Sequence, residues 1–165
     1  MSKGKIGLAV IGLLALFLFL VPACSQTSAA GNPNNVTARQ VKISGQLNGD
    51  YVSVPVSDVQ KNINTRFAVN TATAQMYFMA YQYDNQMYVR ADICPPCGSR
   101  SFKLTKGTLV CNSCGTVFDA VTGKGKSGYC IRYSKQPVTY QVSGDNIIMK
   151  MSDLVTAYRG TLNPG

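Results

Sequence analysis

From about Val36 onward, apolar and polar residues alternate in short runs with turn residues between them, the pattern of a domain built from strands. Tyr51 to Val56 alternates and predicts a strand. Pro55 has no amide proton for a ladder, so it marks either an edge strand or the strand's end. Ser57 to Lys61 predicts a short helical turn capped by Ser57. Thr65 to Asn70 predicts another strand, and Thr73 to Tyr83 with Gln86 to Ile93 predicts a hairpin about the tight-turn pair Asp84-Asn85. Alternation between Tyr77 and Tyr83 is only partial, as in a central strand buried on both faces. Pro137 to Val142 and Asn146 to Met151 predict a second hairpin about Ser143-Gly144-Asp145, and Ser152 to Arg159 a C-terminal helix capped by Ser152.

Before Val36 the pattern is different. A basic head with Lys3 and Lys5 precedes an apolar run from Ile6 to Ala23, which ends at Cys24. That is an export signal. Leu20-Val21-Pro22-Ala23-Cys24 resembles the lipobox of bacterial lipoprotein precursors, in which the final cysteine becomes the lipidated first residue. An uncleaved signal anchor is the alternative, because a run of this length is near the minimum for a spanning helix; simple secretion is a third. All three put the remainder outside the cytoplasm. Residues 25–36 are rich in Ser, Ala, Gly, Asn and Pro and read as a flexible tether. The expected organisation is a signal peptide with lipobox over 1–24, the tether over 25–36, and a β domain over 37–165.

Composition sharpens this reading. The chain has 16 Lys+Arg against 7 acids, all of them Asp, for a net charge of +9. Charged residues make up only 14% of it, against a usual fraction of roughly a quarter. Scarce charge, no Glu, and abundant Tyr, Thr and Val favour strands over helices. The basic residues are spread out except near the cysteines, so an anionic membrane surface or cell wall is the expected bulk partner and nucleic acid is not. Histidine is absent. That excludes His-based acid–base catalysis, His-dependent nucleophiles, mixed Cys/His zinc sites and Cys-x-x-Cys-His haem attachment.

The candidate chemistry lies in Cys94-Pro-Pro-Cys97-Gly98 and, 13 residues further on, Cys111-Asn-Ser-Cys114-Gly115. Two residues between cysteines make a knuckle that turns both sulfurs toward one ion, and the following Gly permits the turn. Two knuckles together supply four thiolates, a donor set for an iron–sulfur cluster, a single iron, or zinc. The alternatives are disulfides and a thiol–disulfide enzyme using Cys94 and Cys97. Pro95-Pro96 argues against the helix start that such a redox pair normally occupies. Arg100, Lys103, Lys106, Lys124, Lys126, Arg132 and Lys135 surround the motifs. They read either as a solvated basic face or as cations that offset thiolate charge and tune a redox potential. Cys130 is a candidate alternate ligand, a reactive thiol or a small buried residue. The expected fold is therefore mainly β: a small β-sandwich or barrel-like domain with a four-cysteine double-knuckle insertion and a short C-terminal helix.

Ala91 to Gly98, Leu109 to Phe118, the Gly-rich approach to Cys130, Val138 to Val142 and Asn146 to Met149 together resemble the membrane iron–sulfur-containing FtrD-like family, over roughly the last 115 residues. That family's motif typically closes with Gly-Gly-Cys-Asn-Pro, where this chain has Gly128-Tyr129-Cys130-Ile131-Arg132. The layout is also similar to a Rieske module, although a true Rieske centre needs two histidines. The resemblance implies an iron–sulfur centre passing electrons, and an association with iron uptake or other metal-handling membrane systems. A partner in membrane redox or metal transport follows from it. A structural-zinc β domain that acts as an interaction module is the competing reading.

Overall fold

The computed structural model describes residues 36–164; the expected export signal, Cys24 and nearly all of the expected tether lie outside the described residues. Among the described residues thirteen strands and two helices follow one another, numbered in chain order. The middle sheet is β2 (Val41–Lys42), β5 (Asn64–Asn70), β6 (Gln75–Tyr83) and β7 (Gln86–Ala91), in that order. β2 runs parallel to β5, and the other pairs are antiparallel. A second sheet has the order β12 (Tyr140–Ser143), β13 (Asn146–Lys150), β4 (Tyr51–Pro55), β3 (Gln46–Asn48). The third runs β1 (Thr37–Ala38), β8 (Phe102–Thr105), β9 (Thr108–Cys111), β10 (Val117–Asp119), β11 (Gly125–Ser127). The helices are α1 (Val56–Asn62) and α2 (Met151–Leu162). The fold is mainly β, as expected, in three small sheets.

β6 explains the layering. Met76, Phe78 and Ala80 enter one hydrophobic cluster with Val52, Val54, Ile147, Met149 and Leu154. Its other face sends Met79 and Tyr81 into a second cluster with Phe102, Leu104, Leu109, Phe118 and the cysteines. A strand with a core on each side cannot alternate apolar and polar, hence its broken pattern. Each fully buried large side chain is worth roughly 1.5–3 kcal/mol, so β6 ties two cores together. Asp84 and Asn85 both take positive φ (51° and 57°), the twist a two-residue hairpin needs.

Pro55 marks an end, not an edge. β4 is paired on both sides, but β3 covers only Tyr51 to Ser53, so the missing amide interrupts nothing there. Both expected helix caps are corrected. α1 begins at Val56 and α2 at Met151, one residue before the predicted serine, and neither has a side-chain cap. Each helix starts directly from a strand end, and a turn of the neighbouring strand takes its first amide: Val56 N donates to Asp145 O (2.9 Å) and Met151 N to Asp50 O (2.8 Å). A backbone carbonyl replaces the serine hydroxyl. The third sheet is larger than expected, because the segment between the knuckles is itself a hairpin, β8–β9, turned at Lys106-Gly107.

Candidate metal centre

The two knuckles are built alike. Cys94 N donates to Ser99 O (2.8 Å), and Cys111 N to Thr116 O (2.9 Å). Gly98 N returns to Cys94 O (2.8 Å), and Gly115 N to Cys111 O (3.0 Å). Both glycines sit at φ +68° with nothing within 4 Å of a would-be Cβ, so backbone conformation and not crowding demands Gly. Pro95–Cys97 form a single 3-10 turn, since Pro95 fixes φ where no amide is needed. The first knuckle follows β7; the second closes β9 and leads into β10. Sheet pairing thus sets the two loops facing each other.

Five sulfurs converge there. Cys94 Sγ lies 3.9 Å from Cys114 Sγ, Cys97 Sγ 3.7 Å from Cys111 Sγ, and Cys114 Sγ 3.7 Å from Cys130 Sγ. These separations exceed a disulfide's roughly 2.05 Å. They match the edge of roughly 3.8 Å that a tetrahedron with metal–sulfur bonds of about 2.3 Å requires. The sulfurs of Cys94, Cys97, Cys114 and Cys130 all lie within 4.8 Å of one another. Cys94, Cys111 and Cys130 are buried, Cys114 is half-buried and Cys97 is exposed, so the group opens to solvent on one side.

Cys130 arrives by way of a glycine-rich loop whose glycines are needed for close approach. A Cβ at Gly123 would lie 2.2 Å from Lys135 O, one at Gly125 2.2 Å from Ile131 O, and one at Gly128 2.7 Å from Thr116 Cα. Cys130 N donates to Thr116 Oγ1 (3.1 Å), whose hydroxyl is also 3.2 Å from Cys114 Sγ. Burial pushes the Cys114 thiol up, but contacts with the Thr116 hydroxyl and amide and with Cys111 and Cys97 outweigh it, bringing it down to about 6. Burial pushes Cys97 up to about 11, and Cys94 further still. Neutral thiols packed this closely are costly to ionise without a cation between them; a metal reverses that cost.

Of the seven cations near the motifs, Arg100, Lys106, Lys124, Lys126 and Arg132 are exposed and Lys103 is half-buried, while Lys135 is fully buried. Two buried charged residues beside the site carried no sequence signal. Arg90 donates to Tyr81 Oη (2.9 Å), Lys135 O (2.8 Å) and Val121 O, which straps the glycine loop to β6. Asp92 is fully buried, and burial pushes its carboxyl up to about 7 against the opposing pull of Gln40, Arg66, Lys135 and Arg100.

Knuckle loops on a mainly-β scaffold, with only sulfur donors converging, define a thiolate metal-binding protein. Residues 56–159 match the family described as membrane iron-sulfur containing protein FtrD-like, and the chain belongs to that family. A chain in the complex of reduced oxygenase and oxidized ferredoxin in carbazole 1,9a-dioxygenase is similar in fold (TM-score 0.52, 21% identity, covering 63% of this chain and 95% of that one). The plasma membrane Rieske protein PetC3 from Synechocystis PCC 6803 aligns more loosely (TM-score 0.43, 26% identity, 58% and 94% covered). No curated protein matches the chain. The soft, all-sulfur donor set is consistent with an iron–sulfur cluster. No helix among the described residues is long and apolar enough to cross a membrane; the association with membranes comes from the family description.

Proposed function

We propose that this chain is an exported, membrane-tethered electron-transfer protein whose iron–sulfur cluster is held by Cys94, Cys97, Cys111 and Cys114. What supports this most is the pairing of sulfurs across the knuckles, Cys94 with Cys114 and Cys97 with Cys111, so that each pair takes one thiolate from each loop. Two such pairs suit a two-iron cluster. A cluster bound there supplies a one-electron couple. The protein's own part is to fix the four sulfurs on rigid hairpins, to keep one edge open at Cys97, and to shield the rest. Tyr129 (88% exposed) and Ile131 flank Cys130 and add an apolar rim against which a membrane redox or metal-transport partner can dock. In this reading residues 1–24 direct export, Cys24 carries the lipid, 25–36 form the tether, and 37–165 work outside the cytoplasm. The family resemblance supports a role beside iron handling.

A second reading has its own observation: the mutual closeness of Cys94, Cys97, Cys114 and Cys130 suits one ion, such as structural zinc, with Cys130 in place of Cys111. The full-length chain, extracted in detergent and purified without oxygen, separates the two by visible absorbance with iron, sulfide and zinc analysis. Brown protein carrying iron and sulfide, lost in Cys111→Ser and kept in Cys130→Ser, is the expected result. Colourless protein with one zinc, lost in Cys130→Ser and kept in Cys111→Ser, ends the electron-transfer reading. Lipidation is tested by fatty-acid labelling, which Cys24→Ala should abolish.

A further inference from the structure

Lys135 lies in the coil between β11 and β12, yet it is 0% exposed. Two hydrogen bonds and one close approach set its position: its amide donates to Gly123 O (2.8 Å), its carbonyl accepts from the Arg90 guanidinium (2.8 Å), and Gly123 lies too close for any side chain. The ammonium donates to the carbonyl of Ile93, the residue before Cys94. It stands over two aromatic rings, 4.4 Å from the Phe118 centroid and 5.1 Å from that of Phe102. No carboxylate pairs with it; the ion pair found among the described residues is Lys126 with Asp119, at the surface. A buried ammonium with no carboxylate in ion-pair contact costs several kcal/mol, and one carbonyl with two ring faces offsets only part of that. Burial holds its ammonium below the ordinary lysine range, and negative charge on Cys94, then Cys111, Asp92 and Cys130, acts in the opposite direction.

We propose that Lys135 is the resident counter-charge of the thiolate centre, a positioning residue that favours the centre's more negative, reduced state. This rests on the electron-transfer reading and adds to it. Four thiolates around a cluster leave net negative charge, which grows by one on reduction. A fixed cation nearby stabilises the reduced form more, and in a dry site salt does not screen it. The six neighbouring cations, exposed or half-buried, lack that protection.

The test is a redox titration of the cluster-loaded full chain, followed by visible absorbance. Lys135→Met should move the equilibrium at least tenfold toward the oxidised form, about 59 mV lower for one electron, equally at low and high salt. Lys135→Gln, which keeps a donor for Ile93 but no charge, should match it. Lys124→Met, at the surface, should move it less than twofold. Wild-type potential in a loaded Lys135→Met or Lys135→Gln protein would overturn the proposal. If Lys135→Met takes up no cluster, zinc affinity of the metal-free protein decides: a tenfold or greater loss supports the counter-charge, and wild-type affinity overturns it. A wild-type protein that never holds iron would end the electron-transfer reading, and the zinc comparison would still judge Lys135.

Discussion

The two cores on either side of β6 are held together by different physics. The one toward β4, β13 and α2 is aliphatic and aromatic, with Phe67 stacked on Phe78 (5.7 Å) and Tyr158 tilted against Phe78 (5.8 Å). Its members carry no charge. The one toward β8, β9 and β10 mixes Tyr81, Phe102 and Phe118 with three buried cysteines, and Arg90, Asp92 and Lys135 are buried beside it. Area burial explains the first core. The second buries Met79, Leu104 and Leu109 as well, but it sets sulfurs and buried charges among them, so hydrogen bonds contribute there beside area burial. One sheet therefore divides an apolar core from one that carries the sulfur centre.

The largest effect should come from removing the metal. Structural four-thiolate sites contribute on the order of 10 kcal/mol to folding. Chelation, or Cys94→Ser with Cys111→Ser, should raise amide exchange across 94–118 by at least a hundredfold, while β4, β5 and β13 keep their protection. Equal loosening of both halves by exchange mass spectrometry would break the comparison.

Next is Phe78→Ala, which empties the centre of the first core. Its expected cost is about 3–5 kcal/mol in urea unfolding, with metal content and visible spectrum unchanged. A change in spectrum at equal stability would mean the two cores are not separable. Arg90→Met should cost about 2–3 kcal/mol by leaving the Tyr81 hydroxyl and the Val121 and Lys135 carbonyls without their donor. Unlike Phe78→Ala, it should also release the glycine loop, seen as faster reaction of Cys130 with a thiol reagent in the metal-free protein.

What was legible in the sequence divides along the same line. The first core's strands announced themselves by alternation and by Asp84-Asn85, and the double face of β6 by its failure to alternate. The knuckles were legible because their spacing is a covalent fact. The β8–β9 hairpin is readable too, in Phe102-Lys-Leu-Thr, Lys106-Gly107 and Thr108-Leu-Val-Cys, but it lies inside the segment read only as a double-knuckle insertion. Ser57 and Ser152 misled as caps because a distant carbonyl did their work, and no local pattern reveals that. Arg90 and Lys135 look like any surface cation in the sequence; only the close approach at Gly123 and the two rings place Lys135 inside.

Gly98→Ala and Gly115→Ala test whether the knuckles are as alike as their hydrogen bonds. Both positions are open in space, so each should cost only the left-handed strain of about 1–2 kcal/mol, and nearly the same amount, by thermal unfolding of the metal-loaded protein. A loss at one and not the other would show that one loop carries more of the ligation.

The smallest effect concerns the far end of the glycine loop. Asp119 Oδ1 accepts from the amides of Val121 (3.1 Å) and Thr122 (2.8 Å) and from the Thr122 hydroxyl (2.9 Å). Burial raises its carboxyl, but the Thr122 amide, the Thr122 hydroxyl, the Val121 amide and nearby Lys126 outweigh that and hold it below the ordinary value of 3.8. The folded form therefore binds its proton less readily than the unfolded chain does. Its stabilisation is fully present above about pH 4 and is lost as pH falls through the depressed value. Asp119→Asn should remove that acid-side slope and cost under about 1 kcal/mol at neutral pH, since the amide oxygen can still accept. An acid-side slope that is unchanged in Asp119→Asn would assign the pH dependence to the site, and the loop would then owe its shape to glycine approach and Arg90 alone.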